Sequence, residues 1–362
     1  MTVPAARMRN PSRFRQVTLG RNTQMSTKGS GSRNKPKSKG LLTVIGNINW
    51  DVSIFEDSFA GLGDEVPIKD VEEFSGGKGA NVAVAAARVL GRGRTAFIGA
   101  LGTDEIAARQ LRELRKEGIA TDGVVIIEGA VSGRAYILVN REGRKSIHSH
   151  FGANALIRPS HLEMAGPARA LSRTSLLVVM DTPTDVALTA TRRARHSGAR
   201  VIYSPGVRTR EGHEALAGIL DYADVLVLDR TELMRLSRET NEVQASRHLQ
   251  RARLGMTVVA TSGKGGCLVV SEDRTARLEG VNLPLLKMKA VNSTGSGDAF
   301  LGVFASYLSE GSDVFEAAKW ANLAGALKAT RYETRGSPTK SELQAAMMKL
   351  GTITARKTSP QN

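Results

Sequence analysis

The feature that most constrains the fold of this chain is a series of short apolar runs, each closed by Gly, Ser, Pro or Asp and set apart by helical patterns. LLTVIGNI from Leu41, TAFIGAL from Thr95, SLLVVMD from Ser175, ARVIYSP from Ala199, DVLVLD from Asp224 and TVVATSG from Thr257 are rich in β-branched residues. They are too short for core helices and too continuously apolar to keep one face wet, so they read as strands buried on both sides. Between them lie helix-period segments such as EIAARQLRELRKEG and DVALTATRRARHSG, and VAVAAARVL places apolar residues at 82, 85, 86, 89 and 90. Strands alternating with helices predict an α/β fold with a doubly wound, mostly parallel sheet covered on both faces. Two stretches break the rhythm, roughly 52–75 and 134–152. The second holds two alternating runs around Arg141-Glu142-Gly143, which predicts a hairpin. Both are expected to form a small β lid on one main domain spanning 41–350.

Charge is informative only once it is located. Of the 51 Lys and Arg residues ten fall in residues 1–40, where there is no Asp or Glu, leaving 41 basic against 35 acidic groups elsewhere. The net charge of +16 therefore reflects this segment more than the domain. Lacking a sustained apolar period, residues 1–40 read as a disordered basic tail, with nucleic-acid contact at most weak and salt-sensitive. Residues 351–362 read as a short C-terminal tail. No apolar run reaches the roughly 18 residues of a membrane span, so no membrane contact is expected. The single cysteine, Cys267, excludes an internal disulfide and fits a reducing, cytoplasmic setting, and its place in CLVV predicts a buried thiol. His148-x-His150 is read as strand alternation, not a metal site.

Chemistry concentrates in two glycine turns. Asn292-Ser293-Thr294-Gly295-Ser296-Gly297-Asp298 precedes apolar residues at 300, 303, 304, 307 and 308, the spacing of a helix face. The glycines thus open a helix, where unpaired N–H groups and the positive dipole end make an anion site from Gly295, Ser296 and Gly297. Asp298, in the first turn, faces the same anion and is placed to take a proton from an attacking hydroxyl. GGKGAN at Gly76 to Asn81 opens a second helix, with Gly77 allowing close approach and Lys78 and Asn81 as donors suited to a polyol. Asn49 and Asp51 follow the first strand, and ligands of open α/β sheets bind beyond strand C-termini. There is no GxxxxGK[ST] sequence, so this is not a P-loop enzyme.

GGKGAN followed about 210 residues later by NSTGSGD resembles the paired signatures of the ribokinase (PfkB-type carbohydrate kinase) family, over roughly residues 41–350. The resemblance implies a ribokinase-like fold and ATP-dependent phosphorylation of a hydroxymethyl group on a sugar, with Asp298 as catalytic base. It implies sugar contacts at Asn49, Asp51, Gly77, Lys78, Asn81 and Asp181. ATP contacts are implied at Asp229, Thr261, Gly263, Gly266 and Asn322, with an indirect Mg2+ role for Glu232. Family members often pair through the lid, so a homodimer is the assembly it offers.

Departures from the family pattern bear on details. Asn292 stands where the motif usually opens with Asp, Ser296 replaces its alanine, and Asp229 replaces an asparagine. Asp181 replaces a glutamate, and Glu333-Thr334-Arg335-Gly336-Ser337 stands where a G-A-x-x-S loop is usual. That loop often helps hold a monovalent cation, so K+ activation is expected to be weak at most. Two rival readings remain open: a nucleoside kinase whose base occupies the lid side, and a regulatory or nucleic-acid-binding protein on a degenerate kinase scaffold.

Overall fold

The computed structural model describes residues 40–358; the basic tail read from 1–40 lies outside them but for Gly40. Thirteen strands are formed among the described residues. In chain order they are β1 (Leu41–Gly46), β2 (Asn49–Glu56), β3 (Ile68–Gly76), β4 (Thr95–Leu101), β5 (Ala120–Ile126), β6 (Gly133–Val139) and β7 (Lys145–His150), then β8 (Thr174–Met180), β9 (Arg200–Ser204), β10 (Val225–Asp229), β11 (Thr257–Thr261), β12 (Cys267–Val270) and β13 (Thr275–Leu278). Nine of them form one sheet, in the order β13-β12-β11-β10-β9-β8-β1-β4-β5. Its neighbouring strands pair in parallel except β11 with β12 and β12 with β13, which are antiparallel.

Each central strand feeds two cores, because successive side chains point to opposite faces. From β1, Leu41 and Ile45 enter one cluster with Leu177 and Val179 of β8. Leu42 and Val44 enter the other, against Val82, Phe300 and Phe304 from the helices Lys78–Leu90 and Ser296–Ser309. Two-sided burial is what the unbroken apolar runs required. Cys267 lies fully inside the second cluster, and burial pushes its thiol up to about 12.

The chain winds outward from β1 through β4 to β5, then returns to β8 on the other side of β1. Strand order reverses there, opening a crevice beyond the ends of β1 and β8, the usual ligand position in such sheets. The lid rises beside it as a four-stranded sheet, β3-β2-β6-β7, and β6 and β7 form the hairpin expected around Gly143. The final helix, Lys340–Thr358, runs on into the segment read as a C-terminal tail. No helix among the described residues is long and apolar enough to cross a membrane.

Candidate active site

The GGKGAN turn is shaped by contact with β1 and β2. Gly77 caps the helix Lys78–Leu90 at φ 90°, and a Cβ on Gly79 would stand 2.7 Å from the Gly46 Cα. Only glycine lets this helix N-terminus touch the end of β1. Asp181, one residue past β8, is held in the left-handed region at φ 56°. Its Oδ1 accepts from the Val207 amide at 3.0 Å, and its Oδ2 lies 3.1 Å from the Lys78 ammonium. A non-glycine residue in this conformation is uncommon and strained, and here both carboxylate oxygens are pinned. Burial pulls the Lys78 ammonium down in pKa, but the opposing charges of Asp181, Asp298 and Glu232 outweigh it and leave the group raised.

Asp298 lies in the first turn of the helix Ser296–Ser309, 8% exposed. Its Oδ2 accepts from the Asn81 amide at 2.8 Å, so the two glycine turns meet through one hydrogen bond. Burial raises the Asp298 pKa, against the hydrogen bond from Asn81 and the charge of Lys78. Asp51 is also buried, at 5% exposure. Burial lifts it to about 7, the Arg335 charge opposing and the Asp298 charge adding. Two buried carboxyls with raised pKa values thus lie within each other's field, a pattern that clusters at functional sites.

Around that floor the structure shows residues that the sequence did not single out. Arg335 donates through Nε to Asn81 Oδ1 at 3.2 Å, and through Nη2 to Gly76 O and Gln110 Oε1. Its Nη1 is buried without a hydrogen-bond partner. Gln110 in turn donates to Asn49 O, and Asn49 Oδ1 accepts from Asn154 at 3.0 Å. The Asn49 side chain is thus committed at its oxygen to the scaffold. Gln110 had a sequence signal, a polar residue at helix spacing with Ile106, Ala107 and Leu114. Arg335 sits in an irregular loop and had none.

Four of the five residues expected to contact ATP share one cleft of about 230 Å3, and Asp229 is not among those that line it. Thr261, Gly263, Gly266 and Asn322 line it together with Ser296, Gly297 and Phe300. Ser296 modifies the expected anion turn: its amide already donates to Ser293 O at 3.0 Å, while its hydroxyl is buried without a partner. Gly297 and Asp298, the second and third residues of the helix, keep amides with no intrahelical acceptor. A Cβ on Gly297 would meet nothing within 4 Å, which leaves open space above those amides. The Asn322 amide donates to Glu279 O at 2.7 Å.

Asp229 ends β10 in register with Thr261 of β11 and forms a capping box with Glu232, accepting from its amide at 2.7 Å while the Glu232 carboxylate accepts from the Asp229 amide at 3.0 Å. Burial raises the Glu232 pKa, and Lys78 and Asp181 also act on it, which puts this carboxyl within the field of the same crevice. Among the described residues no group of three or more His, Cys, Asp or Glu side chains is placed to hold a metal.

Comparison with known proteins agrees with this geometry. The sequence pattern of the pfkB family carbohydrate kinases matches residues 39–341. The chain is 27% identical over 302 residues to a ribokinase of Staphylococcus aureus, covering 82% of this chain and 95% of the relative. It is 30% identical over 303 residues to an ATP-dependent ribose-1-phosphate kinase of Halopiger xanaduensis, covering 83% and 95%. Among solved structures, ribokinase from Thermotoga maritima aligns with a TM-score of 0.76 at 26% identity, over 85% of this chain and 99% of that one. With the paired glycine turns, the buried aspartates between them and the nucleotide-side cleft on one sheet edge, the chain belongs to the pfkB family of carbohydrate kinases, ATP-dependent sugar phosphotransferases of the ribokinase type.

Proposed function

We propose that this kinase transfers the terminal phosphoryl group of ATP to the hydroxymethyl group of a ribose-like sugar. The acceptor lies on the floor formed by Asp51, Gly77, Lys78, Asn81 and Asp181, and Asp298 takes the proton of the attacking hydroxyl. The observation that carries this reading is the Asn81–Asp298 hydrogen bond. It joins the proton acceptor to the polyol-binding turn, while the helix bearing Asp298 presents open amides on the nucleotide side. ATP occupies the cleft between Thr261, Gly266 and Asn322, its phosphates reaching the amides of Gly297 and Asp298 and the Ser296 hydroxyl. Mg2+ supplies charge neutralisation on those phosphates when bound, with Glu232 as the supporting carboxylate.

The lid supports a second reading. A cavity of about 190 Å3 beneath it is lined by Phe55, Phe74, Ile137, Val139 and Tyr332, room for an apolar group carried by the acceptor, as in a nucleoside. The opposite face carries Ile54 in register with Val71 and Leu138, and Val52 two residues before Ile54, with Val71 49% exposed, and supports a homodimer through the lid. The regulatory rival lacks a comparable anchor, since both glycine turns and Asp298 are assembled. A panel of ribose, deoxyribose, ribose 1-phosphate, fructose and adenosine, assayed for ATP-dependent phosphorylation, tests the proposal. Ribose-type acceptors should give the highest kcat/KM. Preference for adenosine would select the nucleoside reading, and no turnover with any of them would defeat both.

A further inference from the structure

The helix Val314–Ala329 carries, one residue before its end, a lysine with no exposed surface. Lys328 is 0% exposed, an expensive place for an ammonium unless its hydrogen bonds are met. They are met by backbone carbonyls. Its Nζ donates to Asn292 O at 2.8 Å and lies 3.4 Å from Arg331 O.

Asn292 opens the turn that ends in Asp298, and that whole turn rests on carbonyl oxygens. Ala329 O accepts from the Val291 and Asn292 amides at 2.7 and 3.0 Å. Tyr332 O accepts from the Asn292 side chain at 2.7 Å, and Thr334 O closes on Gly295, 2.3 Å from where a Cβ would stand. The Lys328 ammonium itself meets two other carbonyl oxygens, Asn292 O and Arg331 O, the kind of ligand that a hard cation takes. Without that ammonium, these two carbonyl dipoles behind an anion-binding turn would oppose an incoming phosphate.

We propose that Lys328 is a tethered cation for this turn: its ammonium occupies the Asn292 and Arg331 carbonyl oxygens in place of a free monovalent ion, fixes the start of the Asn292–Gly297 backbone and adds positive potential behind the transferring phosphoryl group. It is a positioning residue, since it acts through Asn292 and does not touch the reacting atoms. Charged neighbours face it from each element around it: Lys145 from β7, Asp298 from the helix Ser296–Ser309, and Arg331 and Glu333 from the following loop. Burial first, then Lys145, bring its pKa down to about 8, so it remains largely charged at neutral pH.

The inference rests on the phosphotransfer reading of the turn, and its test includes a measurement that needs no substrate. Wild-type kcat, measured at constant ionic strength, should differ by less than about twofold between K+ and Na+. Lys328→Ala should lower kcat by at least about tenfold with KM values changed less than about threefold, the split expected of lost transition-state positioning. K+ or NH4+ should then restore much of that activity in the variant and not raise the wild type. Without acceptor or ATP, the melting temperature of Lys328→Ala should rise with K+ or NH4+ more than with choline, a readout that holds even if the acceptor has been misassigned. Lys328→Met repeats the series should the alanine variant fail to fold. Strong K+ stimulation of wild type would overturn the proposal. So would a variant within about threefold of wild-type kcat, or a folded variant that no monovalent cation rescues in activity or stability.

Discussion

At the scale of single residues, the site depends on two aspartates whose environments differ. Asp298→Asn keeps shape and helix-start preference but cannot accept a proton. It should reduce kcat by about 10²–10⁴-fold with little change in KM for ATP, while the melting temperature stays close to wild type. Turnover within about threefold of wild type in a folded variant would remove Asp298 as the base. If Asp51 accepts two sugar hydroxyls, as proposed, it does so in its ionised form. With its pKa lifted to about 7, kcat/KM for the acceptor should fall as pH drops through that value, and Asp51→Asn should remove this acid limb while raising the acceptor KM. The free protein carries the matching stability signature. Folded Asp51 keeps its proton up to about pH 7, whereas the unfolded residue loses it near about 3.9, so Asp51 alone makes stability fall as pH rises across that window. Both aspartates were legible because each sits beside a turn whose glycines are local signals. Arg335 and Lys328 were not, because a buried charge is defined by partners far away in sequence, and for Gln110 the helix spacing gave the burial but not the partner. Asn49 shows the converse. Its position was legible, but only the structure shows its oxygen committed to Asn154.

At the scale of elements, the site rests on close backbone contact between the helix Lys78–Leu90 and the end of β1. Gly79→Ala would drive a methyl to 2.7 Å from the Gly46 Cα, and neither backbone can yield cheaply. It should cost about 1–3 kcal/mol by denaturant unfolding, and raise the acceptor KM as Lys78 and Asn81 shift. A melt equal to wild type would show that this contact is loose. The lid makes a separate claim. If a second copy of the chain covers Val52, Ile54, Val71 and Leu138, then Val71→Asp should move the protein toward monomer in sedimentation without unfolding the main sheet. The main strands were readable because two-sided burial leaves unbroken apolar runs. The lid read only as a break in rhythm, since β3 and β7 are largely exposed. Its order, with β2 parallel to β6, comes from packing over the crevice and leaves no local pattern.

At the scale of the whole molecule, activity should reside in the unit that begins at the first strand. A chain starting at residue 40 should keep turnover within about twofold of the full chain, because the preceding segment has no core-forming period. Loss of most activity in a folded, shortened protein would give that segment a role. Any DNA binding by the full chain should weaken steeply with salt. The hydrogen bond between Asn81 and Asp298 spans 217 residues, and this span has a consequence for biosynthesis. The turn that holds Asn81 leaves the ribosome 217 residues ahead of Asp298. At about 5–20 residues per second the first waits some ten to forty seconds for its counterpart. A chain terminated before residue 298 therefore has the Gly76–Asn81 turn without Asp298, and cannot form the contact that joins the two turns.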